Sequence, residues 1–463
     1  MTGLLMALFA INGHERTGFI ARVKFRKGFF CFFSCPFKKR REKSFLDLFW
    51  TSMNLYIKNI GQLVTVASHG KRVKTGPGMR ELHIHTNASL LIENGIITAI
   101  GGPELHPPDD IDVIDAEGKV VLPGFVDSHT HTVFAGSREN EFALRAEGKT
   151  YQEIAESGGG ILSTMRATRE ASKRDLYRFA ERRLNDMLRN GTTTVEIKSG
   201  YGLSPEAEMK MLEVIAELKR DHYVTIVATF LGAHAFPPEY KDNKQGYVDR
   251  ICDYMLPYVA EKKLATYIDI FCETGYFDLR MTEQIILEAK RRGLIPKIHA
   301  DQLNAIGAVE LGAKHNAVSV DHLEKTNEQG IAALKNSQTI ATVLPGCSLF
   351  LNHPYAPARK MIDEGIPLAI ATDFNPGSQM CSSMQMMMTL ACTQMQMTPE
   401  ESITATTLNG AAALGLSSEI GSIEIGKQAD VVVYNVFDYR FIPYHYGTNH
   451  AWKVVKNGVL LDF

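Results

Sequence analysis

Two histidines, His129 and His131, stand two residues apart directly after the apolar run VLPGFVD at 121–127. On a strand, residues i and i+2 point to the same side, so this pair can grip one ion from one face. A pair of that spacing also occurs on surface strands, but a surface strand does not usually follow so apolar a run. His299 closes the run IPKIH, and Asp373 follows the run PLAIAT. Taken alone, His299 reads equally well as a satisfied core histidine. Asp373 is harder to explain as packing, because a buried carboxylate needs a charge partner or a metal. Together, three imidazoles and one carboxylate make a nitrogen/oxygen set suited to zinc or iron.

These residues need elements that bring them to one place. Strand-like apolar runs fall at 121–127, 192–198, 223–229, 267–272, 295–299, 317–321, 339–343 and 367–372. Helical stretches separate them. RDLYRFAERRLNDMLRNG ends at Gly191, SPEAEMKMLEVIAELKR opens on Ser204 as N-cap with Pro205 behind it, and MTEQIILEAKRRG ends at Gly293. Eight strands alternating with helices predict an α/β fold with a (β/α)8 TIM-type barrel over 121–420, a doubly wound open sheet being the rival. In a barrel, reactive side chains sit just past the C-terminal strand ends. Those positions hold Asp127 to His131, Lys198 to Tyr201, Gly232 to His234, His299 to Gln302, Asp321-His322 and Asp373 to Gly377. The flanks read differently. Short β-like runs fill 53–120, with a hairpin signal at Asn94-Gly95, and the same texture returns over 421–463, turning at Asn457-Gly458. The expectation is a small β-sandwich domain built from both chain ends, 53–120 plus 421–463.

The chain has 463 residues, 45% of them hydrophobic and 22% charged, with a net charge of −2, which is globular composition. No run reaches the ~18 apolar residues of a membrane span, and the near-neutral charge gives no bulk attraction to nucleic acid or anionic lipid. Seven scattered cysteines do not form a disulfide framework, so a reducing, cytoplasmic setting is the simpler reading. Residues 1–52 differ: ten Lys/Arg face three acids, and ten of the 23 phenylalanines lie there without period. The segment lacks the basic start and small-residue cleavage site of a secretory signal. The expected reading is an extension, disordered or the artefact of an upstream start codon, with folding from near Met53. A transit peptide or a basic membrane-binding arm is the alternative.

VLPGFVDSHTH, the β-rich flanks and the late Asp373 are similar to the amidohydrolase superfamily. FAGSRENEF, SGGGI, IKSGYGL, FLGAHAFP, HADQ, DHLE and ATDFNPGS resemble the imidazolonepropionases of that superfamily, over about Met53 to Phe463. The resemblance implies metal-dependent hydrolysis of the cyclic amide of 4-imidazolone-5-propanoate to N-formimidoyl-L-glutamate, the third step of histidine degradation. It implies His129, His131, His299 and Asp373 as ligands of one Zn2+ or Fe3+ per chain. It places Arg138, Tyr201, His234, Gln302, Asn375, Gly377 and Ser378 on the substrate, with Asp373, His322 and Gln302 catalytic. Metal-activated hydroxide would attack the ring carbonyl, His322 would steady the oxyanion and Asp373 would carry the proton. Arg138 offers a planar fork to the propanoate, or else pairs on the surface with Glu139 or Glu141.

A second metal is not expected, because no lysine follows the fourth strand; Glu273 of Cys272-Glu273-Thr274 is the one opening for it. The alternative activity is deamination of a heterocycle, which in this superfamily typically uses a glutamate where this chain has Gln302, and an amide cannot titrate. A non-catalytic scaffold would have lost the ligands that are all present. Ser157 to Gly160 reads as a substrate loop rather than a phosphate cradle, Met384, Met386, Met387 and Met388 as helix packing, and His353 to Arg359 as a loop lining the site. Cys31 and Cys35 lack zinc-finger partners. The expected partner is a small molecule, with no nucleic acid or membrane. The oligomeric state stays open, homodimers being common among such barrels.

Overall fold

The computed structural model describes residues 53–149, 153 and 159–463. The readings for residues 1–52, including Cys31 and Cys35, and for Ser157 and Gly158 lie outside the described residues. The chain opens with β1 (Leu55–Val64), β2 (Ile84–Glu93), β3 (Ile96–Gly101), β4 (Asp112–Asp115) and β5 (Val120–Pro123). β2 and β3 meet through Asn94-Gly95, whose φ angles of 52° and 77° are the two left-handed positions of a tight hairpin turn. β1 carries a bulge between Ile57 and Ile60, and this extra residue keeps Leu55, Ile57 and Ile60 in one buried cluster.

Eight parallel strands follow in sequence order: β6 (Phe125–Asp127), β7 (Thr192–Lys198), β8 (Thr225–Ala233), β9 (Tyr267–Cys272), β10 (Ile295–Ala300), β11 (Ser319–His322), β12 (Ile340–Val343) and β13 (Leu368–Ile370). The first and last close on each other just beyond their ends. Asp373 N donates to His129 O at 3.0 Å, and His131 N to Phe374 O at 2.9 Å. The result is the (β/α)8 barrel, with the closing seam passing through three of the four expected metal ligands.

One strand of the sequence reading divides. The run 121–127 breaks at Gly124: β5 pairs with β1 in the other sheet, and the barrel begins at Phe125. A Cβ at Gly124 would lie 2.3 Å from the Thr193 side chain, so only glycine lets the chain cross there. β14 (Val431–Tyr434), β15 (Ala451–Lys456) and β16 (Val459–Leu461) then return to β5, giving the order β16-β15-β14-β5-β1-β2-β3 with β4 against β1. Both chain ends therefore build the sheet of the β-sandwich domain.

The helices start where local chemistry satisfies their first N–H groups. Ser204 accepts from Ala207 N ahead of the helix Pro205–Asp221, and Ser172 from Asp175 N ahead of Lys173–Arg189. The helix Leu279–Arg291 begins at the cap Asp278, before the apolar period that reveals it in the sequence. Met384, Met387 and Met388 are buried on the helix Met384–Gln394, as packing requires. Among the described residues, no helix is long and apolar enough to cross a membrane, and Cys252, Cys272, Cys347, Cys381 and Cys392 are free thiols.

Candidate active site

His129 and His131 follow β6, His299 lies near the end of β10, and Asp373 follows β13, so barrel closure gathers them at one rim. Ligand atoms of His129, His131 and His299 lie within 4.8 Å of one another. Asp373 Oδ1 stands 3.5 Å from Nε2 of both His129 and His131. The far sides of the rings are fixed: His129 Nδ1 lies 2.7 Å from Asp321 Oδ2, and His299 Nδ1 lies 3.0 Å from Asp269 Oδ2. The aligned bond to Asp321 holds the His129 proton on Nδ1 and leaves Nε2 as a lone pair, and the Asp269 carboxylate close to His299 Nδ1 favours the same tautomer as an ion-pair contact. In both rings that Nε2 is buried without a hydrogen-bond partner among the described residues.

The electrostatics agree. Burial, then the Lys198 charge and the neighbouring histidines, hold His129 far below the usual imidazole range. Burial lowers His299 to about 4 against the pull of Asp269. Both are neutral imidazoles, the form that ligates metal. Burial pushes Asp373 upward, but a hydrogen bond from His131 and then the charge of His322 bring it below its ordinary value. A carboxylate converging with the two unpartnered Nε2 lone pairs of His129 and His299 fits a borderline cation.

Beneath this rim lies a layer of buried charge. Lys198 Nζ is 2.8 Å from Glu196 Oε2 and 2.8 Å from Asp269 Oδ2, and Lys297 Nζ is 3.6 Å from Asp321 Oδ2. Lys297 also donates to Ser128 O at 3.0 Å, tying the layer to the strand end that carries the histidines. These side chains alternate along β7, β9, β10 and β11 and so point into the barrel. Three carboxylates against two ammonium groups leave the layer one charge negative, which favours a cation above it. Asp269, Glu196 and Lys297 escaped the sequence reading as site residues, whereas Lys198 and Asp321 stood among its strand-end positions. A charged residue inside an otherwise apolar strand was the available signal.

A cavity of about 650 Å³ opens over the cluster. Its lining includes His131, Arg138, Tyr201, His234, His299, Gln302, His322, Asp373, Asn375, Gly377 and Ser378, all the expected site residues except the deeper His129. His353 lines it too, with Arg145, Lys149, Phe142 and Phe350 at the wall, which the sequence did not single out. Arg138 both lines the cavity and pairs with Glu141. Its Nε donates to Oε2 at 2.8 Å, its Nη2 lies at 2.7 Å, and the side chain is 8% exposed, so the pairing is not a surface one. Glu141 in turn accepts from Gly160 N at 2.9 Å.

His234 stacks on His131, and its Nδ1 lies 3.0 Å from Gly200 O, so it donates there and keeps Nε2 as an acceptor. Asn375 is largely engaged by its own loop: Oδ1 accepts from Gly377 N and Ser378 N, both at 2.8 Å, while Nδ2 donates to Asp373 O at 2.7 Å. Its observed contacts shape the loop that presents Asp373 and Gly377.

Two further carboxylates clamp site loops. Glu208 accepts from Gly200 N, Gly202 N and Leu203 N at 3.0, 2.7 and 2.8 Å, fixing the turn that carries Tyr201. Glu273, the one opening for a second metal, accepts from Leu303 N at 2.9 Å and Asn304 N at 3.0 Å and so holds the loop beside Gln302. Asp373 and His322 take left-handed backbone angles, φ 55° and 88°, conformations that cost about 1–3 kcal/mol each and gather at functional sites.

A closed parallel barrel with a histidine/aspartate cluster at its C-terminal rim is the architecture of metal-using hydrolases, and the comparisons agree. Residues 120–459 match the model of the amidohydrolase family, to which the chain belongs. The chain is 48% identical to an imidazolonepropionase of Flavobacterium johnsoniae over 407 residues, 88% of this chain and 99% of that protein. It is 47% identical to another of Christiangramia forsetii over 411 residues, 88% of this chain and all of that protein. Within the amidohydrolases it is thus a member of the imidazolonepropionase family. Among solved structures, an adenosine deaminase from Xanthomonas campestris with bound zinc superposes with a TM-score of 0.66 at 17% identity, covering 88% of this chain and 92% of that one, a likeness of fold.

Proposed function

We propose that the chain uses one metal ion, zinc or iron, held by His129, His131, His299 and Asp373, to open the ring of 4-imidazolone-5-propanoate to N-formimidoyl-L-glutamate. The reaction class, hydrolysis of a cyclic-amide C–N bond in histidine degradation, follows from membership of the family. When bound, such an ion supplies Lewis acidity and lowers the pKa of a coordinated water from 15.7 to about 7.

The chain's own residues do the rest. Arg138 and Tyr201 receive the propanoate, the guanidinium being held in aim by Glu141. His234 accepts from the ring through Nε2, and Gln302 orients it by hydrogen bonds alone. His322, with Glu324 Oε1 3.3 Å from its Nδ1, is raised in pKa by that carboxylate against burial and steadies the developing oxyanion. Asp373 takes a proton from the attacking water and returns it to the departing ring nitrogen. Small-molecule specificity, a cytoplasmic location, a homodimer and a division into sandwich and barrel domains belong to the same proposal.

The convergence of two bare, buried Nε2 atoms with Asp373 carries the reading. A rate assay on imidazolone propanoate tests it with wild type, Asp373→Asn and Arg138→Ala. Turnover is expected to vanish in the first variant. In the second, binding should weaken by about 2–5 kcal/mol as a buried charge pair is lost. Turnover retained by Asp373→Asn overturns its proton role, and an unchanged KM in Arg138→Ala removes the clamp. Ammonia released from purine or pyrimidine bases, with no imidazolone turnover, would replace hydrolysis by deamination.

A further inference from the structure

Beside the rim, a second set of donors converges that the proposed reaction does not use as ligands. Cys347 is 1% exposed on the helix Pro345–Leu351 that follows β12, and Gln302 Nε2 lies 3.6 Å from its sulfur. Ligand atoms of His322, Glu324 and Cys347 all lie within 4.8 Å of one another, and all three residues are buried. Glu324 Oε1 faces His322 Nδ1, while its Oε2 is buried without a hydrogen-bond partner among the described residues. A buried carboxylate oxygen left unmatched is costly, and a cation would satisfy it.

We propose that His322, Glu324 and Cys347 form a second, thiophilic metal site, which takes a borderline or soft divalent cation such as zinc or cadmium supplied in excess. The donor set is one imidazole nitrogen, one carboxylate and one thiol. On binding, the thiol loses its proton to solvent as the metal–sulfur bond forms, and His322 binds as the neutral imidazole, any further proton on its ring also passing to solvent. Thiolate and carboxylate then cancel the charge of a divalent ion, so the loaded cluster is neutral, as a buried site requires. The thiolate selects zinc or cadmium over magnesium or calcium, which prefer all-oxygen shells. His322 lines the cavity and opens the path of entry. Occupancy takes His322 away from the oxyanion, so the second ion inhibits; that consequence rests on the proposed function, whereas the binding does not.

The test is a titration of cadmium chloride into the one-metal holoenzyme. Metal content after gel filtration and the ultraviolet thiolate-to-cadmium absorption are read for wild type, Cys347→Ser and Glu324→Gln. Wild type is expected to gain one further ion with the absorption band and to lose turnover. Cys347→Ser should keep its first metal and its basal turnover and gain neither ion nor band. Glu324→Gln keeps the thiol, so it should show the band only at higher cadmium, which tests the site even if the serine variant fails to fold. A second ion bound equally well by Cys347→Ser, or bound with no band, overturns the proposal. A wild type that gains ion and band but never hydrolyses imidazolone propanoate keeps this site and overturns the proposed function instead.

Discussion

Gly377→Ala separates the aim of Arg138 from the stability of the fold. Gly377 is outside the left-handed backbone region, so alanine meets no conformational penalty there. The added methyl, however, would sit 2.1 Å from Arg138 Nη1 and 2.9 Å from Cζ. Relief to ordinary contact at 3.4 Å requires a shift of about 1.3 Å. The guanidinium cannot retreat freely, because Glu141 holds its Nε and Nη2 at 2.8 and 2.7 Å. Moving the loop instead strains the bond from Arg145 Nη2 to Gly377 O at 3.0 Å. A misplacement of about 1 Å costs on the order of 100-fold, or about 2.7 kcal/mol. Steady-state kinetics on imidazolone propanoate should show this chiefly in KM, with the melting temperature almost unchanged. On an Arg138→Ala background the same substitution should cost little more, since both changes remove one interaction. Additive losses, or a wild-type KM in the single variant, would refute the reasoning.

Three further outcomes follow from carboxylates held by hydrogen bonds and charge partners. Asp269→Asn removes the negative charge facing His299 Nδ1 and Lys198 Nζ and turns one of its two oxygens into an amide donor, so metal affinity should fall roughly 10- to 100-fold, measured by competition with a chelator, and stability by about 3–5 kcal/mol. Glu208→Gln replaces one of the two oxygens that together accept three N–H groups of the Tyr201 turn with an amide donor; urea unfolding should show a loss of about 1–3 kcal/mol, with KM raised. Burial works to raise the pKa of Glu424, but hydrogen bonds from Ser422 and Ser68 and the charge of Lys427 bring it down to about 2. Its stabilising contribution is therefore present above its ordinary value of 4.5 and is lost as pH falls toward 2. Between pH 5 and pH 2, wild type should lose more stability than Glu424→Gln; parallel unfolding curves would contradict this.

Much of the site was legible because strand ends leave a pattern. His129 and His131 share a face by their spacing, and His299 and Asp373 close apolar runs whose order dictates the barrel. The hairpins at Asn94-Gly95 and Asn457-Gly458 were readable for a similar reason, since only a few residue types accept two consecutive left-handed angles. The charge layer was not legible. Asp269 in YIDIFC and Lys297 in IPKIH carry no mark of their partners, which come from strands far away in sequence and meet only when the barrel closes. The division at Gly124 was hidden because β5 and β6 are equally apolar, and only the close approach of Thr193 separates them. Arg138 reads in sequence as either a surface pair or a clamp; in the fold it lines the cavity while paired to Glu141.

The central claim, one metal ion gripped by three imidazoles and an aspartate, is tested most directly by metal analysis of the purified chain alongside turnover of imidazolone propanoate, before and after chelation and in His299→Ala. The expected result is one zinc or iron per chain in wild type, none in the variant, and activity that disappears with the metal and returns on its restoration. Full activity in a metal-free wild type would contradict it.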